Sequence, residues 1–325
     1  MSTSHALTAN DDNGKPGANP AQALASHSRV RRLPDQWTHR TPSGVTYGPL
    51  AAVSGAPPEP LEPNSDAANI AVRQSPLQVL WVLTRTEFRA RYRAQALGLV
   101  WSMLNPLVMM GIISIIFTQV FRSAEKNFPI FLLIGLLVWQ WFSASITTVT
   151  NVFVSNADII KRTIFPRPLL PIASILSFTI NFSIESLTLL LFIPIFPDAF
   201  TLSPVLLLVP VLLMLALCLM FGIALALSVL NVIYRDVAYL VTTALLILYW
   251  LTPVFYPLEV ITYPYRIILQ CNPLAGILHG LRQAIMHGQL PTLMGWAGML
   301  IPTAIIMLIG WRVFRHYEHM VLDYV

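Results

Sequence analysis

Apolar residues fill this chain from about residue 98 to residue 314, in long runs cut by short charged loops. No Asp, Glu, Lys or Arg occurs between Arg93 and Arg122, Lys126 and Asp158, Asp198 and Arg235, Asp236 and Glu259, or Arg282 and Arg312. Each gap holds the roughly 20 residues that a helix needs to cross a bilayer core. The pattern predicts an all-α membrane protein with six transmembrane helices, at about 98–121, 129–154, 169–195, 203–231, 237–256 and 293–314. The third is interrupted by Glu185 and ended by Pro194 and Pro197.

Two further elements follow from the periodicity. Over residues 76–93, Leu77, Leu80, Trp81, Thr84, Phe88 and Tyr92 share one helical face, with Arg85, Arg89 and Arg93 recurring every fourth residue beside it. This reads as an N-terminal amphipathic interfacial helix; the alternative is a plain extension of the first span. Between spans five and six, two apolar pieces at about 264–271 and 274–286 are too short to span and are broken by Pro264 and Asn272-Pro273. They predict an outer re-entrant hairpin, whose non-helical backbone must be buried in protein or line a watery cavity.

Composition agrees: 55% hydrophobic, 11% charged and a mean hydropathy of +0.65, against roughly 25% charged in soluble domains. Cys218 and Cys271 are too few for a disulfide framework. Residues 1–75 differ, holding nine of the 25 prolines and only two aromatics, Trp37 and Tyr47. Such a stretch buries too little apolar surface to order itself, so a disordered cytoplasmic tail over 1–75 and a transporter domain over 76–325 are expected. With six spans both termini share a side, and that side carries eleven basic residues from Arg73 onward against four on the other. The positive-inside bias places both termini in the cytoplasm.

Recognisable catalytic chemistry is missing. The sequence has no phosphate-binding GxxxxGK[ST] loop, no HExxH or CxxC spacing and no nucleophile elbow, and His279 and His287 have nothing nearby to complete a metal site. No catalytic residue, metal ligand, nucleic-acid partner or cofactor is therefore assigned to this chain. Glu185 is the main charge inside a span; Asn181, Ser183, Ser186 and Thr188 flank it and suit a hydrogen-bonded structural role, a proton-transport role being the alternative. The segment Asn156–Pro171 is basic and proline-rich, with Asn156 or Asp158 placed to cap a short helix through Thr163. It is either an ordinary positive-inside loop or a surface that receives a push from a soluble partner. Asp236 stands where it can cap the fifth span. Trp139, Trp141, Phe142, Tyr249, Trp250, Phe255 and Tyr256 are either interfacial-belt or packing residues or the flat faces of a sugar conduit.

Several blocks in fixed order carry a family likeness. They are Phe88–Arg93 with Leu97–Trp101 and Asn105-Pro106, then Asn156–Pro168, Tyr234-Arg235-Asp236, Thr252–Pro257, and Asn272-Pro273 with Gly280-Leu281-Arg282. From about Ser75 to its end the chain resembles the permease subunits of type-2 ABC exporters that move polysaccharides such as O-antigen, capsule and teichoic acid. The resemblance implies a homodimeric channel in the bacterial inner membrane, in contact with lipid and bound to two copies of a separate ABC ATPase that carries the ATP and Mg. It implies a polysaccharide or lipid-linked glycan as substrate. It places ATPase coupling on Arg85, Arg89, Asp158, Lys161, Arg162, Phe165, Arg167, Tyr234, Arg235 and Asp236; a sliding polymer needs repeated weak stacking contacts, so some of the seven aromatics above are expected to line the substrate path. A drug or lipid exporter of the same family, and a proton-driven secondary carrier using Glu185, are the alternative readings.

Overall fold

The computed structural model describes residues 75–92, 98–120, 127–162, 165–262, 269 and 271–324. The expectations for residues 1–74, for Arg93, Arg122, Lys126 and Arg266, and for most of the apolar piece 264–271 lie outside the described residues. Among the described residues every regular element is helical. In chain order they are α1 (Pro76–Tyr92), α2 (Gly98–Ile115, continued by a π-helical turn to Val120), α3 (Phe128–Thr150), α4 (Val152–Ser155), α5 (Ala157–Arg162), α6 (Leu169–Ser186), α7 (Thr188–Phe192), α8 (Val209–Ile233), α9 (Val237–Leu251), α10 (Pro273–Arg282), α11 (Leu293–Tyr317) and α12 (Val321–Tyr324).

Among the described residues five helical segments are long and apolar enough to cross a membrane: Val100–Gln119, Phe128–Thr150, Leu169–Phe192, Pro204–Ile233 and Leu293–Met320. They fall on expected spans one to four and six. The expected fifth span, 237–256, is shorter as a helix. α9 has 15 residues, about 22 Å of rise against a core of about 30 Å. It stops because Thr252 precedes Pro253, and a residue before proline is pushed out of the α region; Thr252 is extended, at φ −93° and ψ 132°. Glu185, the charge that interrupts the third span, lies just before the junction of α6 and α7; Leu187 between them keeps helical dihedrals (φ −61°, ψ −22°), and the Thr188 hydroxyl donates to the Glu185 carbonyl at 2.6 Å.

α3 is the central helix and packs against α2, α6, α8, α9 and α10. Of its apolar window 72% is buried, against 17% for the windows of α2 and α11. The outer faces of those two helices carry Val108, Ile112 and Ile115, and Ile301, Ile305 and Leu308, all exposed and spaced three or four apart. That is an apolar stripe suited to lipid. α8 and α11 cross in near backbone contact: a Cβ on Gly310 would lie 1.9 Å from the Gly222 carbonyl oxygen. In lipid no hydrophobic force drives helices together, so close approach at small residues provides the contact.

The bundle has two distinct ends. At one, Asn151 at the end of α3 accepts from Asn231 near the end of α8 (3.2 Å), Phe153 meets Phe314 of α11 (6.4 Å), and Asn156 lies 3.5 Å from Glu87 of α1. At the other, α10 is almost wholly buried against α3, α8 and α11. Asn272 caps α10 by accepting from the Leu274 N–H (3.0 Å), and its amide donates to Thr252 (3.1 Å).

Candidate functional site

The charged residues at the Asn151–Asn231 end are mostly presented to solvent. Arg85 and Arg89 are exposed on α1, Asp158 and Lys161 on α5, and Tyr234, Arg235 and Asp236 on the turn between α8 and α9. α5 is held down by Ile160, which is buried, while Ile159 beside it is 38% exposed. α5 ends at Arg162, and Phe165 packs half-buried against the core.

Three local readings change. Arg167 is not presented outward: its guanidinium donates to the Glu318 carbonyl beyond α11, so it fixes the proline elbow to the C-terminal segment. Asp236 does not cap α9 with its side chain. The Ala238 N–H is satisfied instead by Asn231, seven residues earlier, at 3.0 Å. Asn156 turns its amide back to the Val152 carbonyl (2.9 Å) and to Glu87, rather than capping α5 with it.

The seven aromatics divide between two faces of α3. Trp139 and Tyr249 have ring centroids 5.1 Å apart, Tyr249 meets Phe255 edge-on at 4.8 Å, and Trp250 lies 5.7 Å from Phe255. Phe142 joins this group through Trp139 at 5.9 Å, and the Tyr256 hydroxyl donates to the Trp250 carbonyl at 2.8 Å. Trp250 is the open member, 65% exposed. Trp141 points elsewhere, because a step of two residues turns a helix by about 200°. It stacks on Phe182 of α6 at 4.4 Å, and its indole N–H donates to Thr179 at 3.3 Å.

Trp141 thereby borders a half-open cavity of about 310 Å³ among α1, α2, α3 and α6, with apolar and polar walls. Its walls include Arg91 and Tyr92 from α1, Ser102 and Asn105 from α2, Gln140 from α3, and Asn181 and Glu185 from α6. Glu185 is 1% exposed and accepts from the Asn181 amide at 2.7 Å. The Asn181 carbonyl accepts from the Tyr92 hydroxyl; burial pushes that phenol above its ordinary pKa, so it stays a donor. The Arg91 guanidinium lies 3.4 Å from the centroid of Phe178, a cation–π contact. The residues expected to flank and satisfy Glu185 thus include the right one, Asn181. Arg91 and Tyr92 were not legible as its neighbours, since α1 and α6 are about 90 residues apart in the chain.

The missed structural residue is Arg282. It is 4% exposed and donates to the carbonyls of Phe131 (3.1 Å), Pro253 (2.6 Å) and Val254 (2.8 Å), with its guanidinium 3.4 Å from the Phe131 ring centroid. The Pro253 and Val254 carbonyls lie in the irregular segment after α9, where no helix satisfies them, and the Phe131 carbonyl ties that segment to the first turn of α3. Gly135 leaves room for the guanidinium: a Cβ there would meet Arg282 Nη2 at 2.5 Å and the Val254 oxygen at 2.9 Å.

Residues 78–286 match the family profile of the ABC-2 type transporter. The chain belongs to the ABC-2 type transporter family. It is 30% identical over 242 residues to an O-antigen export system permease protein RfbA of Klebsiella pneumoniae, covering 74% of this chain and 92% of the relative. It is 30% identical over 213 residues to the O-antigen export system permease protein RfbA of Myxococcus xanthus, covering 64% and 80%. Identity to the polysialic acid transport protein KpsM of Escherichia coli is 25% over 244 residues, covering 73% and 92%. The ABC-2 profile spans α1 through the π-helical turn after α10, so it takes in the exposed turns, the aromatic cluster and the Glu185 cavity. With five helices of spanning length, this ABC-2 family member is a multi-pass membrane protein.

Proposed function

We propose that the chain is the membrane-spanning permease subunit of an ATP-driven exporter that moves a polysaccharide or lipid-linked glycan from the cytoplasm across a bacterial inner membrane. The observation that carries this is the likeness to O-antigen permeases at 30% identity across 92% of a relative's length. Two copies form the channel, and two copies of a separate ABC ATPase supply hydrolysis of ATP with Mg. The transporter domain begins near residue 76. The basic excess puts the Asn151–Asn231 end in the cytoplasm with both termini. α9 with the segment after it completes a sixth crossing, α10 is the arm of an outer re-entrant hairpin, and α1 lies at the cytoplasmic membrane boundary.

In this reading the exposed set Arg85, Arg89, Asp158, Lys161, Tyr234, Arg235 and Asp236 receives the ATPase, together with Arg162 and Phe165. Arg167 acts from behind, by holding the elbow to Glu318. Trp139, Phe142, Tyr249, Trp250, Phe255 and Tyr256 line the path, with Trp141 on the other face of α3. A sliding polymer needs repeated weak contacts, and an aromatic face supplies about 1 kcal/mol each. The test is deletion of the gene followed by complementation. Surface glycan should vanish and undecorated glycan accumulate inside, and the complemented protein should co-purify with an ATPase. A deletion strain with unchanged surface glycan rejects the proposal.

A further inference from the structure

The cavity around Glu185 belongs neither to the exposed turns nor to the aromatic cluster, and its chemistry is specific. Planar amides from Asn105 and Gln140 carry donors and acceptors; Tyr92, Asn181 and Glu185 are linked in a chain of hydrogen bonds and present their remaining lone pairs and N–H. Trp101, 59% exposed, adds a flat apolar face at the rim. Arg91 Nη1 is buried and, among the described residues, has no hydrogen-bond partner. A buried donor without a partner is costly, and a ligand oxygen would satisfy it.

The charge balance selects among ligands. One guanidinium and one carboxyl face the same space. A phosphate group would gain from Arg91 but meet Glu185, and a cation would meet the reverse. A neutral ring with several hydroxyls suits both, since a hydroxyl donates to the carboxylate and accepts from the guanidinium. About 310 Å³ is at the low end of small-molecule pockets, room for one ring inside its mouth. The walls include Gly98, the first residue of α2, and Arg91 and Tyr92 of the boundary helix α1, as well as Trp141 from within α3. We infer that this cavity, walled in part by the boundary helix α1, binds a single neutral sugar residue of the transported glycan. The inference rests on the glycan-permease reading above.

The test uses the full-length protein in lipid nanodiscs and saturation-transfer NMR, which detects weak ligands. The probes are the methyl glycosides of glucose, galactose and mannose, with inorganic pyrophosphate as the anionic competitor. At least one glycoside should show transfer that excess pyrophosphate does not remove. Glu185→Gln keeps the shape and should weaken that glycoside about tenfold, because one acceptor oxygen becomes an N–H₂ donor. Asn105→Leu and Trp101→Leu change exposed side chains, leave the fold intact and should weaken it as well. Absence of glycoside transfer, equal transfer in all three variants, or displacement by pyrophosphate would each overturn the inference. The deletion strain reads the glycan function separately: glycan lost there with no glycoside transfer here rejects the cavity alone, whereas unchanged surface glycan rejects the function.

Discussion

Replacing Arg282 with Met keeps the length of the side chain and removes its charge and all five donors. Three hydrogen bonds to backbone carbonyls go, and so does the contact over Phe131. Hydrogen bonds between helices in membranes average only about 0.6 kcal/mol, which sets a floor of about 2 kcal/mol for three. Charged donors to carbonyls in proteins contribute about 1.5 kcal/mol or more each, which gives about 4.5 kcal/mol. The expected loss is therefore about 2–5 kcal/mol, or a fall in Tm of about 5–15 °C for a domain of this size. Thermal unfolding of the purified protein in detergent measures it. Gly135→Ala supplies an independent approach, because its Cβ would intrude on both Arg282 Nη2 and the Val254 oxygen; overpacking of this kind costs about 1–3 kcal/mol. In the double variant one of the two obstacles is gone, so its loss should be smaller than the sum of the single losses. An Arg282→Met variant melting within about 2 °C of the parent, or strictly additive losses, would refute the view that this arginine staples the outer segment.

Other outcomes follow from the same packing. Gly310→Val should prevent the α8–α11 crossing and abolish a monodisperse peak in size exclusion, whereas Gly111→Ala, which meets nothing within 4 Å, should leave it unchanged. Asn231→Ala should cost about 1 kcal/mol by uncapping α9, and Asp236→Ala clearly less, because Asn231 accepts from Ala238 and Asp236 makes no side-chain cap; equal melting losses would contradict this. Lys161→Glu should lower export at unchanged melting temperature, since the side chain is exposed, while Arg167→Ala should lower both by freeing the Glu318 carbonyl; thermal melts beside an export assay separate them. Trp250→Leu should slow export with ATPase activity kept, because Trp250 is the exposed face of the aromatic cluster; export at the parent rate would mark it as a lipid-facing residue.

Charge gaps alone located five of the spanning helices, because removing twenty residues from water tolerates no unpaired charge and the constraint acts on every residue of the run. The interruption at Asn272-Pro273 was equally local and equally readable, though the cap that Asn272 makes there was not. The sequence also carried enough ordered blocks to indicate the ABC-2 family, whose profile then matched residues 78–286. What it did not carry was the choice of partner between distant segments. The basic residues of α1 look alike in sequence, yet Arg85 and Arg89 are exposed while Arg91 faces Phe178 and the Glu185 cavity. Trp139 and Trp141 are near neighbours in sequence and belong to different surfaces of α3. Arg282 stands in the sequence only as the end of a family-like block and is a buried staple; Asp236 reads as a cap and yields that role to Asn231. Hydropathy and periodicity report which residues leave water, a property of each segment alone. Which side chain satisfies which buried donor or carbonyl is settled by the angle and rotation at which helices pack, and only the folded bundle decides that.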